Sequence, residues 1–279
     1  MFLKKILHFI LSHSVFIALC AAALCLQTLW LLHLPVNIYL TAFIFFATLA
    51  GYNAYWLLSK FSLNGHSSFR SFFYKELISF NIIAGSIAGM LVCLSHLHLI
   101  MYNIVITFFL MLLYSIPLLP FKKIQFARKV GFVKTILLSL TWAHVTTMIP
   151  LQKTITHLMP AEVLIYFSRF VFILMLCIIF DRRDMAMDKI RGMHSLATDL
   201  SERALHMIMI ALFWLFCFMS AGLLRYGLEL KQSIGLLITA VSTFIVYLYS
   251  RKNRGYFFYY FLVDGLMLFS ALITYLLSI

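Results

Sequence analysis

Asp181, Asp184 and Asp188 are spaced i, i+3 and i+7 within FDRRDMAMDKIRGMHSLATDLSERAL, the stretch from residue 180 to residue 205. On a helix that spacing puts three carboxylates on one face. Like charges so placed repel, and the arrangement becomes favourable when a hard cation sits among them. Mg2+ suits the pattern, because it binds through a few carboxylates and keeps positions open for phosphate oxygens. Arg182, Arg183, Lys189 and Arg191 lie beside the acids and can balance them or contact an anionic ligand. Asp199 and Glu202 follow, so five of the nine acidic residues of the chain fall in this stretch. A solvated charge cluster at a helix end is the alternative reading.

The elements that must position these residues follow from composition. Hydrophobic residues make up 63% of the 279 residues and charged ones 11%, with a mean hydropathy of +0.99. So few charges cannot cover a soluble domain, which makes the chain an integral membrane protein. Crossing about 30 Å of hydrocarbon takes about 20 apolar residues. Nine stretches meet that need: Ser14 to Leu32, Pro35 to Leu58, Leu77 to His96, Leu99 to Leu119, Gly131 to Pro150, Ala161 to Phe180, Ala204 to Leu224, Gln232 to Tyr249 and Tyr256 to Ile279. Backbone groups in lipid must be paired internally, so these are predicted helices. The predicted fold is all-α: a polytopic bundle of nine transmembrane helices around a central apolar cavity, one domain over residues 1–279. The lysine-led N-terminus reads as an interfacial segment before an uncleaved first helix. The five cysteines fall within spans, without a C-x-x-C pair, and read as packing residues.

Lys and Arg should be in excess on the cytoplasmic side. Eighteen of the 22 fall on alternate loops with the N-terminus, whereas Lys153, Arg225 and Lys231 fall on the other side and Arg169 lies inside a span. The alternation predicts a cytoplasmic N-terminus, an external C-terminus and the aspartates on the cytoplasmic face of an inner membrane. The net charge of +13 is then an address toward the membrane, and no nucleic-acid partner is expected.

Asp181, Asp184 and Asp188, followed by Gly192, Ser195 and Leu196, resemble the second aspartate motif of the UbiA-type intramembrane prenyltransferases, with Ser195 in place of a Thr. Tyr114, with Lys122, Lys123, Arg128 and Lys134 after it, is similar to the Tyr-rich basic loop after the fourth span of that family. The resemblance implies nine helices, with motif loops on the cytoplasmic side after the second and sixth spans. It further implies condensation of a prenyl diphosphate with a lipophilic, often aromatic, acceptor in contact with membrane lipid. In that family two aspartate clusters hold Mg2+ on the diphosphate, and a dry cavity protects the allylic cation. By this likeness Asp181, Asp184 and Asp188 are the metal ligands, and Arg182, Arg183, Lys189 and Arg191 bind the diphosphate. Asn53, Lys60, Tyr114, Lys122, Lys123, Arg128 and Lys134 take the catalytic positions.

The first aspartate motif of the family, N-D-x-x-D-x-x-x-D, is where this chain departs. Asn53 is kept, but Ala54, Leu57 and Phe61 stand at the aspartate places, and residues 35–73 contain neither Asp nor Glu. The expected site is therefore reduced, with one or two Mg2+ ions and with Lys60 or loop cations neutralising the diphosphate directly. Asp264, well inside the last predicted span, is a functional candidate by position. Gly85 and Gly89 form a small-x-x-x-small pair expected to let two helices approach. Trp142, His144, Thr146 and Thr147 add polarity without an assigned chemistry.

Three classes of function remain open at this point: an active prenyltransferase, a non-catalytic relative that binds an isoprenoid or a partner protein, and a secondary transporter. For the last, the paired broken helices expected in two repeated halves are not seen. The charge alternation predicts that cysteines placed at Lys123 and Lys189, in a background lacking native cysteines, react with an impermeant thiol reagent from the cytoplasmic side only. One at Lys153 should react from the outside only. Labelling of Lys123 and Lys153 from the same side would refute the alternation.

Overall fold

A computed structural model describes residues 2–63, 69–97, 100–115, 131–190, 194–252 and 254–279. Every regular element among them is helical: α1 (Phe2–Ser12), α2 (Val15–Leu31), α3 (Ile38–Leu63), α4 (Phe69–Lys75), α5 (Leu77–Leu94), α6 (Met101–Ser115), α7 (Gly131–Ala143, continuing through a π-helical His144–Met148 to Leu151), α8 (Pro160–Ile190), α9 (Leu196–Asp199), α10 (Glu202–Gly222), α11 (Leu230–Ser250) and α12 (a π-helical Phe258–Val263 followed by Asp264–Ser278). Short 3-10 turns fall at Ile155–His157 and Leu223–Tyr226.

A helix falls on each of the nine apolar stretches, but they are not equal. Seven are long and apolar enough to cross a membrane, and α1 with α2 makes an eighth if the pair counts as one span. α1 meets α2 at 66° across Ser14, whose φ of 61° is left-handed. The described part of α6 has 15 residues, about 22 Å at 1.5 Å per residue, which falls short of the hydrocarbon thickness. Large apolar side chains such as Phe108, Phe109, Leu112, Trp214 and Phe218 face outward, as suits a protein dissolved in lipid.

α8 is the axis of the bundle. Val171, Phe172, Ile173, Met175, Leu176, Ile178 and Ile179 are buried around its whole circumference, and it packs on α7, α10 and α11. A helix apolar all round belongs in the middle of a bundle.

Several polar groups inside the bundle find partners on neighbouring helices. Pro150 has no N–H, so the carbonyl of Thr146 loses its usual helical donor. That oxygen accepts the Thr28 hydroxyl of α2 at 2.8 Å. Asn103 of α6 donates to the carbonyls of Met148 and Lys153 at 3.2 and 3.0 Å, closing the end of α7. Gln27 of α2 donates to the Ser270 carbonyl, the Ser270 hydroxyl and the Thr274 hydroxyl of α12 at 2.9, 3.0 and 3.0 Å.

The glycines separate by contact. A Cβ on Gly89 would meet the Phe46 ring of α3 at 2.7 Å, so this residue does admit a close neighbour. The paired expectation fails for Gly85, where an added Cβ would meet no described atom of a neighbouring helix within 4 Å. The tightest backbone approach is elsewhere: a Cβ on Gly235 of α11 would stand 3.0 Å from the Thr274 Cα and 3.3 Å from its backbone nitrogen. Gly235→Ala must therefore push α11 off α12 and should cost about 1–3 kcal/mol. Gly85→Ala should change stability by no more than about 0.5 kcal/mol. Thermal unfolding in detergent measures both, and equal midpoints would contradict the packing described.

Candidate functional site

α8 does not end with the apolar run at Phe180 but continues to Ile190. This places Asp181, Asp184 and Asp188 on successive turns of a helix, as the spacing requires. Asp181 is fixed from α7, where the Thr135 hydroxyl donates to its Oδ2 at 2.7 Å. Lys134, the preceding residue, lies within electrostatic range of Asp181, Asp184, Asp188 and Tyr55. Its ammonium stands 5.8 Å from the Tyr114 ring centroid, a cation–π distance. Tyr114 of α6 stacks on Tyr55 of α3, with centroids 5.0 Å apart. One turn back on α3, the Tyr52 hydroxyl accepts the Trp142 indole N–H at 2.9 Å. Asp264 comes from α12, is 8% exposed and interacts electrostatically with Tyr52 and Arg183.

Five helices thus converge at one end of the bundle. α3 and α6 bring aromatic hydroxyls, α7 brings an ammonium and a hydroxyl, and α8 and α12 bring carboxylates. Of the residues expected from sequence, Tyr114, Lys134, Asp181, Asp184 and Asp188 meet here. Tyr52, Tyr55 and Thr135 were not anticipated. A Tyr-x-x-Tyr pair on α3 beside the first of the missing aspartate places was the available signal, hidden because tyrosine in an apolar helix reads as packing.

The other expected residues have different partners. The Asn53 amide donates to the carbonyls of His13 and Leu49 at 3.0 and 2.8 Å, joining α3 to the bend between α1 and α2. Lys60 pairs with Glu76 at 2.8 Å, an acid just beyond the acid-free segment noted above. Arg183 grips Asp184 with Nε and Nη2 at 2.7 and 2.8 Å, and its guanidinium packs 4.8 to 4.9 Å from the Tyr260 and Phe180 ring centroids. Arg182 has Nη1 3.1 Å from Glu202 and Nη2 directed at the Arg251 carbonyl. Lys189 is exposed. Lys122, Lys123, Arg128 and Arg191 lie outside the described residues.

The acidic stretch therefore divides by role. Asp199 holds His194 at 2.7 Å, Glu202 balances Arg182, and Ser195 caps α9 by accepting the Thr198 N–H. Three acids remain on α8. Among the described residues no three His, Cys, Asp or Glu side chains stand together as a metal-holding group. Asp184 is turned onto Arg183, one oxygen of Asp181 is taken by Thr135, and Asp188 has an interaction of its own. On α3 the places where a second carboxylate cluster would be needed hold Ala54, Leu57 and Phe61. As placed, the described side chains do not assemble the Mg2+ site expected from sequence.

Two small cavities lie away from this cluster, toward the opposite half of α8. One of about 10 Å3 is lined by Gln27, Ser168, Arg169 and Ser270 among others. One of about 110 Å3 is lined by residues that include His33, Ala161 and Tyr226.

No family model matches the chain, and no curated protein matches it in sequence. Its structure is similar to the apo structure of a UbiA homolog from Aeropyrum pernix K1, with a TM-score of 0.58 and 13% identity over 96% of this chain and 97% of that one. A likeness of that extent at so low an identity concerns the path of the backbone: the chain is a helical membrane protein with a UbiA-type fold.

Proposed function

We propose that this chain is a UbiA-like membrane prenyltransferase with a reduced polar site, moving an isoprenoid group from a prenyl diphosphate to a lipophilic acceptor. The observation that carries this reading is the convergence of Lys134, Asp181, Tyr55 and Tyr114 at one end of a UbiA-type bundle. In the reaction the bond between the allylic carbon and the diphosphate oxygen breaks and its electron pair leaves with pyrophosphate. The acceptor supplies the electrons of the new bond and gives up a proton. Negative charge grows on the leaving oxygens, and a preorganised cation near them lowers the barrier. Lys134 takes that role, within electrostatic range of the α8 carboxylates and 5.8 Å from the Tyr114 ring centroid. The stacked tyrosine faces suit an allylic cation. In this reading the bundle crosses the membrane nine times, with α6 as the fourth crossing. The aspartate end of α8 faces the cytoplasm, and a central cavity holds the isoprenoid.

One observation favours a second reading, a non-catalytic isoprenoid binder: Lys60 and Arg183 are paired with the chain's own carboxylates, and α3 carries no acid near the site. The two readings differ in turnover. Radiolabelled prenyl diphosphates of 10 to 20 carbons, with lipid extract as acceptor, should yield pyrophosphate and a prenylated lipid. Lys134→Met should lower the rate about 100-fold, the scale for removing one preorganised charge-stabilising group. Binding without turnover in the wild type would select the second reading, and neither binding nor turnover would reject both.

A further inference from the structure

Arg169 lies on α8, about 18 Å along the helix from Asp181 at 1.5 Å per residue. It is 5% exposed and stands among apolar residues in the middle of the bundle. A guanidinium carries five N–H donors and keeps its charge in a protein, so an unpaired one inside a membrane protein is costly. Here only Nη2 has partners among the described residues, the Leu24 carbonyl and the Thr28 hydroxyl, both at 3.4 Å. These are long for a charged donor.

No carboxylate of the chain balances it. The ion pairs among the described residues are Lys60 with Glu76, Lys153 with Glu162, Arg182 with Glu202, Arg183 with Asp184, and His194 with Asp199. Asp181 and Asp188 belong to the other end of α8, Asp264 interacts with Arg183, and Glu229 caps α11. With a net charge of +13 and its acids placed elsewhere, the chain leaves the counter-ion of Arg169 to come from outside.

A place for it exists. The cavity of about 10 Å3 beside Arg169 is also lined by Ser168 and Ser270, and a volume of that order admits one small guest. Gln27 lines the same cavity, and its buried Oε1 has no donor. The larger cavity of about 110 Å3 shares Leu31, Ile165 and Leu223 with the smaller one. It continues to His33 and Tyr226 at the end of the bundle opposite the aspartates.

We propose that Arg169 forms a binding site for a small monovalent anion of halide size, reached through the larger cavity from the end of the bundle opposite the aspartates. The anion takes the guanidinium N–H groups and the neighbouring serine hydroxyls. The site stands apart from the prenyl chemistry and does not depend on it.

The test is equilibrium binding of radioactive chloride to the full chain in detergent, in a background of gluconate, which is too large for the cavity. Saturable binding near one ion per chain is expected, displaced by bromide and at least tenfold weaker in Arg169→Gln. Arg169→Lys, which keeps the charge but loses the planar fork, should fall between the two. Crystals of the wild type grown in bromide should show anomalous density beside Arg169, which decides the matter even if a variant fails to fold. Absence of saturable wild-type binding, binding unchanged in Arg169→Gln, or only water beside Arg169 in the bromide crystals would each overturn the proposal.

Discussion

Polar groups inside a lipid-dissolved bundle have no water to fall back on, and that constraint organises the whole molecule. It explains why a proline in α7 is matched by a threonine in α2: Pro150 strips a donor from the Thr146 carbonyl, and Thr28 supplies one. It explains why Asn103 reaches two carbonyls at the end of α7, and why Gln27 spends its amide on α12. Hydroxyls elsewhere in the bundle turn back on their own helices, as Ser139 does to Thr135 and Thr243 to Thr239. Helices that are apolar to lipid are thereby pinned in register by a small number of polar contacts.

The same constraint gives meaning to the places where charge collects. At one end of α8, acids, an ammonium, a guanidinium and tyrosines share a single region, each satisfying part of another's field. Asp181 is held by Thr135 and Asp184 by Arg183, while Lys134 lies over the Tyr114 ring within electrostatic range of the carboxylates. In the other half of α8 a single arginine lies among apolar side chains and serines, with nothing of opposite sign near it. The two regions are on one helix, yet one is internally compensated and the other is not.

Sequence by itself determined the class of the protein, because hydropathy over windows of about 20 residues is a local property and every one of the nine apolar stretches contains a helix. It also determined the face shared by Asp181, Asp184 and Asp188, since helical spacing needs no tertiary information. Packing partners are another matter. Lys60 looked like a free cation because its own segment has no acid, and only the folding of α5 against α3 puts Glu76 beside it. Asn53 kept the motif residue, yet its neighbours are the carbonyls of His13 and Leu49. Tyr52 and Tyr55 read as ordinary aromatics until α3 meets α6 and α7. Gly85 and Gly89 are indistinguishable by spacing, and a single Phe46 ring separates them. Charge pairing and close approach are relations between segments distant in the chain, so the tertiary structure alone decided which ionisable groups meet at the end of α8 and left the buried Arg169 without an acid among the described residues.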